Sequence, residues 1–244
     1  MGTHTDYNAL VHKVLLTFNE GRRTENFTGF HENIASSEVK KHFPPDKLLE
    51  IFGEFVDKEI DIGSVKFFTP LLVRKPVIQN ETLILEGFFL FSPDETPNYL
   101  KFNLEFKEGP SWKLNFINLA TEKIPDLPSN TELLQLVDNT LESFNQAIQE
   151  GNFKTFTKAF FPSATSHEKL LEVFQVFIDK KINLSSIQNI YPYFPSHPKY
   201  NEQGQLIVTG FYELPDQEYN VFFEITYQKD NQQWKIHFLK INVE

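Results

Sequence analysis

The sequence predicts an α+β protein made of two tandem copies of one small domain, residues 1–122 and 131–244, joined by a linker at 123–130. Three observations predict it. The two halves repeat each other in order at an offset of 122 to 126 residues. Within each half the apolar period changes from about 3.6 to 2, so helices precede strands. Phenylalanine reaches 26 of 244 residues, which implies extensive aromatic packing of the kind a covered sheet uses.

The repeat is read first, because it decides the architecture. Leu10-Val11 matches Leu136-Val137, Phe18-Asn19 matches Phe144-Asn145, and Phe27 matches Phe153. Lys47-Leu48-Leu49-Glu50 then matches Lys169-Leu170-Leu171-Glu172, and Phe52, Phe55, Asp57 and Lys58 match Phe174, Phe177, Asp179 and Lys180. Ile60-Asp61-Ile62 matches Ile182-Asn183-Leu184, and Pro70 and Pro76 match Pro192 and Pro198. Gly87-Phe88-Phe89 matches Gly210-Phe211-Tyr212, and Trp112-Lys113-Leu114 matches Trp234-Lys235-Ile236. The order never breaks, and the differences in spacing fall in turns.

The first helix is plainest in the second copy. Ser129-Asn130-Thr131-Glu132 reads as a capping box, and Leu134, Val137, Leu141, Phe144 and Ile148 recur on one face before Gly151. In the first copy Val11, Leu15 and Phe18 keep that face. Asn8 and Arg22 replace Leu134 and Ile148, which predicts a helix that buries less. Phe27–Phe30 and Phe153–Phe161 suggest a short second helix. A further helix follows Thr165-Ser166-His167-Glu168, a second capping box, through Leu170, Leu171, Phe174, Phe177 and Ile178. Its partner, Leu48–Val56, is introduced by Pro44-Pro45-Asp46.

Four strands are then predicted in each copy: Val65–Leu72, Thr82–Phe91, Leu100–Lys107 and Trp112–Ala120, matched by Ile187–Phe194, Leu206–Glu213, Tyr219–Gln228 and Trp234–Val243. Glu108-Gly109-Pro110-Ser111 and Lys229-Asp230-Asn231-Gln232 are turns between the last two strands. The linker holds Pro125 and Pro128 and is short.

Charge and composition exclude several functions. The net charge is −10: residues 1–126 carry 14 Lys+Arg against 19 Asp+Glu, and residues 127–244 carry 9 against 14, so each half stands at −5. Neither half offers a basic stripe to a phosphate backbone or an anionic membrane, and nucleic acid is not an expected partner. Cysteine is absent, which removes disulfides, thiolate nucleophiles and zinc–thiolate sites. The apolar runs, such as Phe67–Val73 and Gly87–Phe91, are too short to span a membrane. The first residues are polar and carry no secretory-leader pattern.

The order of elements resembles the nuclear-transport-factor-2-like (NTF2-like) superfamily, in which helices pack into a curved sheet and leave a conical cavity. Each copy is also similar to a group of uncharacterised bacterial NTF2-like proteins, often exported. Their pattern is matched by Phe177-Ile178-Asp179-Lys180-Lys181-Ile182-Asn183-Leu184-Ser185-Ser186-Ile187, by Gly204-Gln205-Leu206-Ile207-Val208-Thr209-Gly210-Phe211-Tyr212 and by Trp234-Lys235-Ile236. The first copy departs from it, lacking the first Gly and carrying Phe88-Phe89. The resemblance implies a periplasmic or secreted setting with the leader absent from this sequence; the residues themselves assign no compartment. It is nearly silent on activity, since one fold hosts many.

NTF2-like enzymes, among them ketosteroid isomerases and dehydratases, place Asp, Tyr or His inside the cone, where a dry site tunes a carboxyl group for acid–base work. The polar residues within the predicted strands are therefore the candidates. Glu86 aligns with Thr209, Glu224 with Asn103, Glu105 with Thr226, His237 with Asn115 and Tyr212 with Phe89. None of these polar groups is shared by both copies, whereas the packing residues are, so the duplication kept a scaffold and not a reaction centre. Tyr212, Glu224, Tyr227, Trp234 and His237 of the second copy, with Glu86, Phe89 and Trp112 of the first, are the candidate pocket or sheet-face residues. Strand alternation sets Glu224 and Tyr227 on opposite faces, so one pocket does not take them all.

His12 falls on the first helix, His31 and His42 in a polar loop or helix end, and His167 in a cap. No His-Glu-x-x-His spacing, Gly-rich phosphate loop or Gly-x-Ser-x-Gly elbow occurs, so neither a metal nor a cofactor is expected. Asn26-Phe27-Thr28, Asn80-Glu81-Thr82 and Asn183-Leu184-Ser185 have the form of glycosylation triplets. The expectation is a non-catalytic protein that binds a small apolar ligand or a protein partner. Its two copies would pair as an internal pseudo-dimer, since linkage raises their local concentration to roughly millimolar. The alternative is an isomerase or dehydratase with one active cone in the second copy.

Overall fold

The structure is a computed structural model that describes residues 6–109, 111–161, 166–214, 217–231 and 233–244. It is α+β and divides into two compact units between Asn130 and Thr131.

The first unit opens with α1 (Tyr7–Arg23), capped by the Asp6 carboxylate, which accepts from the Ala9 amide at 3.0 Å. Four short helices follow: α2 (Thr28–Asn33), α3 (Ser37–His42), α4 (Pro45–Ile51) and α5 (Gly53–Asp57). A 3₁₀ turn at Gly63–Phe67 leads into β1 (Leu71–Leu72), β2 (Val77–Gln79), β3 (Thr82–Leu90), β4 (Tyr99–Lys107) and β5 (Lys113–Glu122). These strands form an antiparallel sheet in which β1 and β2 both pair β3, followed by β4 and β5.

The second unit repeats the plan. It has α6 (Asn130–Glu150), α7 (Lys154–Phe160), α8 (His167–Val173), α9 (Gln175–Asp179) and a 3₁₀ turn at Ser185–Asn189. The sheet runs β6 (Lys199–Tyr200), β7 (Leu206–Glu213), β8 (Asn220–Asp230) and β9 (Gln233–Val243), antiparallel in that order.

The same residues build both cores. Phe18 of α1 lies 5.6 Å from Phe27, 4.8 Å from Phe52 and 5.3 Å from Phe55, ring centre to ring centre. Phe144 of α6 lies 5.9 Å from Phe153, 4.7 Å from Phe174 and 5.6 Å from Phe177. The edge-to-face arrangement of the closest pairs suits the ring quadrupoles. Each sheet carries one bulge in its last ladder, between Glu105 and Phe106 in the first unit and between Thr226 and Tyr227 in the second. An added residue of this kind bends and twists a strand.

Gly87 and Gly210 are required by close approach. A β-carbon on Gly87 would meet the Leu71 carbonyl and the Phe102 ring, and one on Gly210 the Tyr193 carbonyl and the Phe223 ring.

Several expectations are corrected. Val65–Leu72 and Ile187–Phe194 are not strands over their length. The Asp61 carboxylate accepts from the Gly63 amide at 2.7 Å and the Asn183 side chain from the Ser185 amide at 2.9 Å, which starts a 3₁₀ turn instead. Phe67 is accordingly 74% exposed, where an alternating strand would have buried it with Val65.

The predicted helix Leu48–Val56 breaks at Phe52 into α4 and α5, and its partner breaks at Phe174. β2 and β6 lie just after Pro76 and Pro198, where no strand is predicted. The turn between β2 and β3 places Asn80 and Glu81 at φ 48° and 61°, the pair of left-handed residues a two-residue hairpin needs.

In the first turn of α6 Leu133 is the buried leucine, with Leu134 only half-buried. Ser166 caps α8, accepting from the Lys169 amide; Thr165 of the expected capping box, Pro110 of the first-copy turn and Gln232 of the second-copy turn lie outside the described residues.

Arg22 was expected to leave α1 less buried. It is itself buried, donating to Asn19 Oδ1 at 3.4 Å and lying 3.7 Å from the Asp61 carboxylate.

The linker is bound to the first unit. Asn98 exchanges two hydrogen bonds with the backbone of Ile124, and Lys123 Nζ donates to the Pro93 and Glu95 carbonyls. Asn130 accepts from the Leu90 amide and donates to the Thr69 carbonyl.

Candidate functional site

Antiparallel register decides which strand residues face the helices. In β8, Val221, Phe223, Ile225 and Tyr227 are buried, and in β7 Leu206, Val208, Gly210 and Tyr212 share the inward face. Tyr212 and Tyr227 are therefore the two phenols that the sheet of the second unit turns toward α6. Both are essentially without solvent contact, and a buried hydroxyl needs an acceptor.

α6 supplies the acceptors. The Tyr212 hydroxyl donates to Asp138 Oδ1 at 2.9 Å. The Thr140 hydroxyl donates to the Leu136 carbonyl at 2.7 Å. The Tyr227 hydroxyl donates to the Leu136 carbonyl at 3.1 Å and lies 3.0 Å from Thr140 Oγ1.

Burial pushes both phenols above their ordinary value, with the Asp138 charge adding to the effect. Asp138 is half-buried, and burial raises it above the ordinary carboxylate range; the Tyr212 bond opposes this and the Glu142 charge adds to it. The arrangement holds a carboxylate with a reduced cost of protonation against a donor phenol, the pair of elements that acid–base chemistry uses.

The same positions in the first unit are apolar or differently polar. His12 stands where Asp138 does, and its Nε2 is 2.9 Å from the Phe68 carbonyl. Its ring lies 6.0 Å from Phe89, the counterpart of Tyr212. Phe89 is fully buried, with Phe91 and Phe102 against it. Val14 stands for Thr140, and Phe106, just past the bulge, for Tyr227; both are buried in the same apolar cluster.

The other candidates are dispersed. Glu86 faces outward on β3, 25% exposed, with Arg74 at 3.7 Å and Lys101 at 3.9 Å. Glu224 faces outward on β8, between Thr209 and Lys240 in the ladders. Trp112 packs partly buried on the first core. Trp234 is half-buried, its ring 6.4 Å from Tyr227 and beneath the Lys229 amine at 4.8 Å.

His237 is exposed at the bulge of β9. It lines a shallow groove of about 230 Å³ with Gln228, Lys229, Asp230, Lys235 and Ile236. The Lys235 amine in that groove already donates to the Ala159 carbonyl at 2.9 Å. Tyr212 and Tyr227 are thus brought together with Trp234 nearby, and Glu86, Glu224 and His237 are not.

Sequence reasoning missed Asp138 and Thr140. The signal available was the two inward tyrosines, which call for oxygen acceptors on the facing helix.

Among the described residues no group of three or more His, Asp or Glu is placed to hold a metal ion, and no helix is long and apolar enough to cross a membrane. Compared with known proteins, the chain matches no family model, no curated protein and no solved structure.

Proposed function

We propose that the chain is a non-catalytic tandem NTF2-like protein that engages a protein partner through its sheet surfaces and holds no small molecule in its interior. The observation that carries this is the satisfied interior of the second unit. Its two inward phenols are fully buried and bonded to Asp138, Thr140 and Leu136, so they present no open polar group to a ligand. In the first unit the corresponding space is held by Phe89, Phe106 and Val14.

The outward faces support the partner reading. Phe116 and Phe238 occupy equivalent positions on β5 and β9, opposite Glu105 and Thr226, and each is 45% exposed. A singly exposed ring is ordinary; its recurrence at the same place in two otherwise diverged copies is what favours a partner on these faces.

Titration of the full chain with an apolar fluorescent dye and with a steroid tests the first half of the proposal. No saturable binding tighter than roughly 100 µM is expected. Tighter saturable binding that Tyr212→Phe weakens would contradict it. Phe116→Ser combined with Phe238→Ser tests the second half: capture of a protein partner should be lost at an unchanged melting temperature.

One observation favours a second reading, an isomerase- or dehydratase-type enzyme with one active cone. Asp138, raised by burial and bonded by Tyr212, has the character of a general acid–base. Its mark is an activity that Asp138→Asn removes and His12→Ala leaves intact.

A further inference from the structure

A duplicated chain faces a folding hazard that a single domain does not. Two units with one apolar frame can exchange equivalent segments, and misassembly of this kind is characteristic of repeat proteins. Here α1 and α6 carry the same core residues at the same spacing: Val11, Leu15, Phe18 and Asn19 in one, and Val137, Leu141, Phe144 and Asn145 in the other. Asn19 accepts from the Ile62 amide at 3.1 Å and Asn145 from the Leu184 amide at 2.8 Å, so even the polar anchor is shared. By its apolar face alone, either helix fits either sheet.

The differences between the helices are matched by differences in what they face. Asp138 meets Tyr212, and its counterpart His12 meets Phe89 and the Phe68 carbonyl. Thr140 meets Tyr227, while Val14 and Phe106 stand at the corresponding places in an apolar cluster. Arg22 lies beside Asp61, while Ile148 and Asn183 are the corresponding uncharged pair.

We propose that these three paired differences keep each long helix with its own sheet, so that α1 and α6 do not exchange between the units during folding.

The cost of exchange falls on named atoms. With α1 in the second unit, Tyr212 loses its carboxylate acceptor, Tyr227 loses the Thr140 hydroxyl, and Arg22 is buried without its counter-charge. With α6 in the first unit, Asp138 is set against Phe89 with no phenol to donate to it. Buried polar groups left in this way are penalised far more than a bonded pair is rewarded.

The chain has no cysteine, so a designed disulfide reports the arrangement without interference. Asn145 and Asn183 touch at 3.3 Å through their amide groups, and Asn145→Cys with Asn183→Cys is the pair expected to close in the native arrangement. Asn19→Cys with Asn183→Cys reports α1 seated in the second unit. Refolding from denaturant under oxidising conditions should leave the 19–183 pair essentially open in the parent. Levelling the second unit with Asp138→His, Thr140→Val, Tyr212→Phe and Tyr227→Phe should raise 19–183 closure about ten-fold or more, the effect of one lost buried hydrogen bond. Closure unchanged from the parent overturns the proposal.

Exchanging only the helix residues gives a second arm, with His12→Asp and Val14→Thr in α1 and Asp138→His and Thr140→Val in α6. Each helix then suits the other sheet at two of the three pairs, and Arg22 keeps its preference for Asp61. Dominant 19–183 closure in the folded monomer supports the proposal. Refolding to the native pair at the parent's yield overturns it.

Discussion

The two units share their apolar frame and differ in what fills the gap between long helix and sheet. Phe18 and Phe144 touch equivalent rings at distances that agree within about 0.3 Å. Where helix and sheet face each other, the first unit has His12, Val14, Phe89 and Phe106, and the second has Asp138, Thr140, Tyr212 and Tyr227. Apolar packing tolerates one partner being swapped for another of similar size. A polar group does not, because its partner must change with it. The comparison therefore teaches that the polar positions diverged as pairs, and that the fold is carried by the rings.

If the frame is common, equal truncations should have equal effects. Phe18→Ala and Phe144→Ala should each destabilise their own unit by about 3–5 kcal/mol, because each removes the ring at the centre of its cluster. Each unit holds one tryptophan, so Trp234→Phe leaves Trp112 to report the first and Trp112→Phe leaves Trp234 to report the second. Denaturant titration followed by each tryptophan gives the two values separately. A difference of several-fold between the two costs would break the comparison. Gly87→Ala and Gly210→Ala should each cost about 1–3 kcal/mol, since the added carbon has to displace a carbonyl and a phenylalanine ring in either unit.

The polar positions should separate the units by pH. The Gly63 amide, with Asn19 and Arg22, holds Asp61 below the ordinary value of 3.8. Its contribution to the first unit is present above that value and is lost as pH falls through the lowered one. Burial holds Asp138 above 3.8, so its contribution to the second unit is present below 3.8 and is lost as pH rises through the raised value. Between about pH 7 and pH 3, Asp61→Asn should cost the first unit most at the neutral end. Asp138→Asn should relieve the second unit most at that same end. Unfolding midpoints followed by each tryptophan read both slopes, and equal slopes would remove this distinction.

Much of the frame was legible before any coordinates. β7 runs Leu206–Glu213 as the alternation predicts, and β3 begins at Thr82. The reason is that burial on one face of a strand leaves a period of two that few other structures imitate. Val65–Leu72 was misread because its apolar residues also alternate, while the turn depends on Asp61 and on Asn19 of a distant helix. The candidate site was half legible. Tyr212 and Tyr227 were visible as polar residues in apolar strands, but Asp138 reads as an ordinary helix carboxylate until the register shows what lies opposite. Arg22 misled for the same reason: a charge on a helix face implies solvent unless its counter-charge, here Asp61, is seen.

The central claim is that the polar groups inside the second unit are committed to each other. A double-mutant cycle on Asp138→Ala and Tyr212→Phe, followed by Trp234 fluorescence in denaturant, measures that commitment directly. A coupling of about 1–3 kcal/mol is predicted, as for partners in one buried hydrogen bond. Effects that add to within about 0.3–0.5 kcal/mol would show the two groups to be independent and would contradict the account.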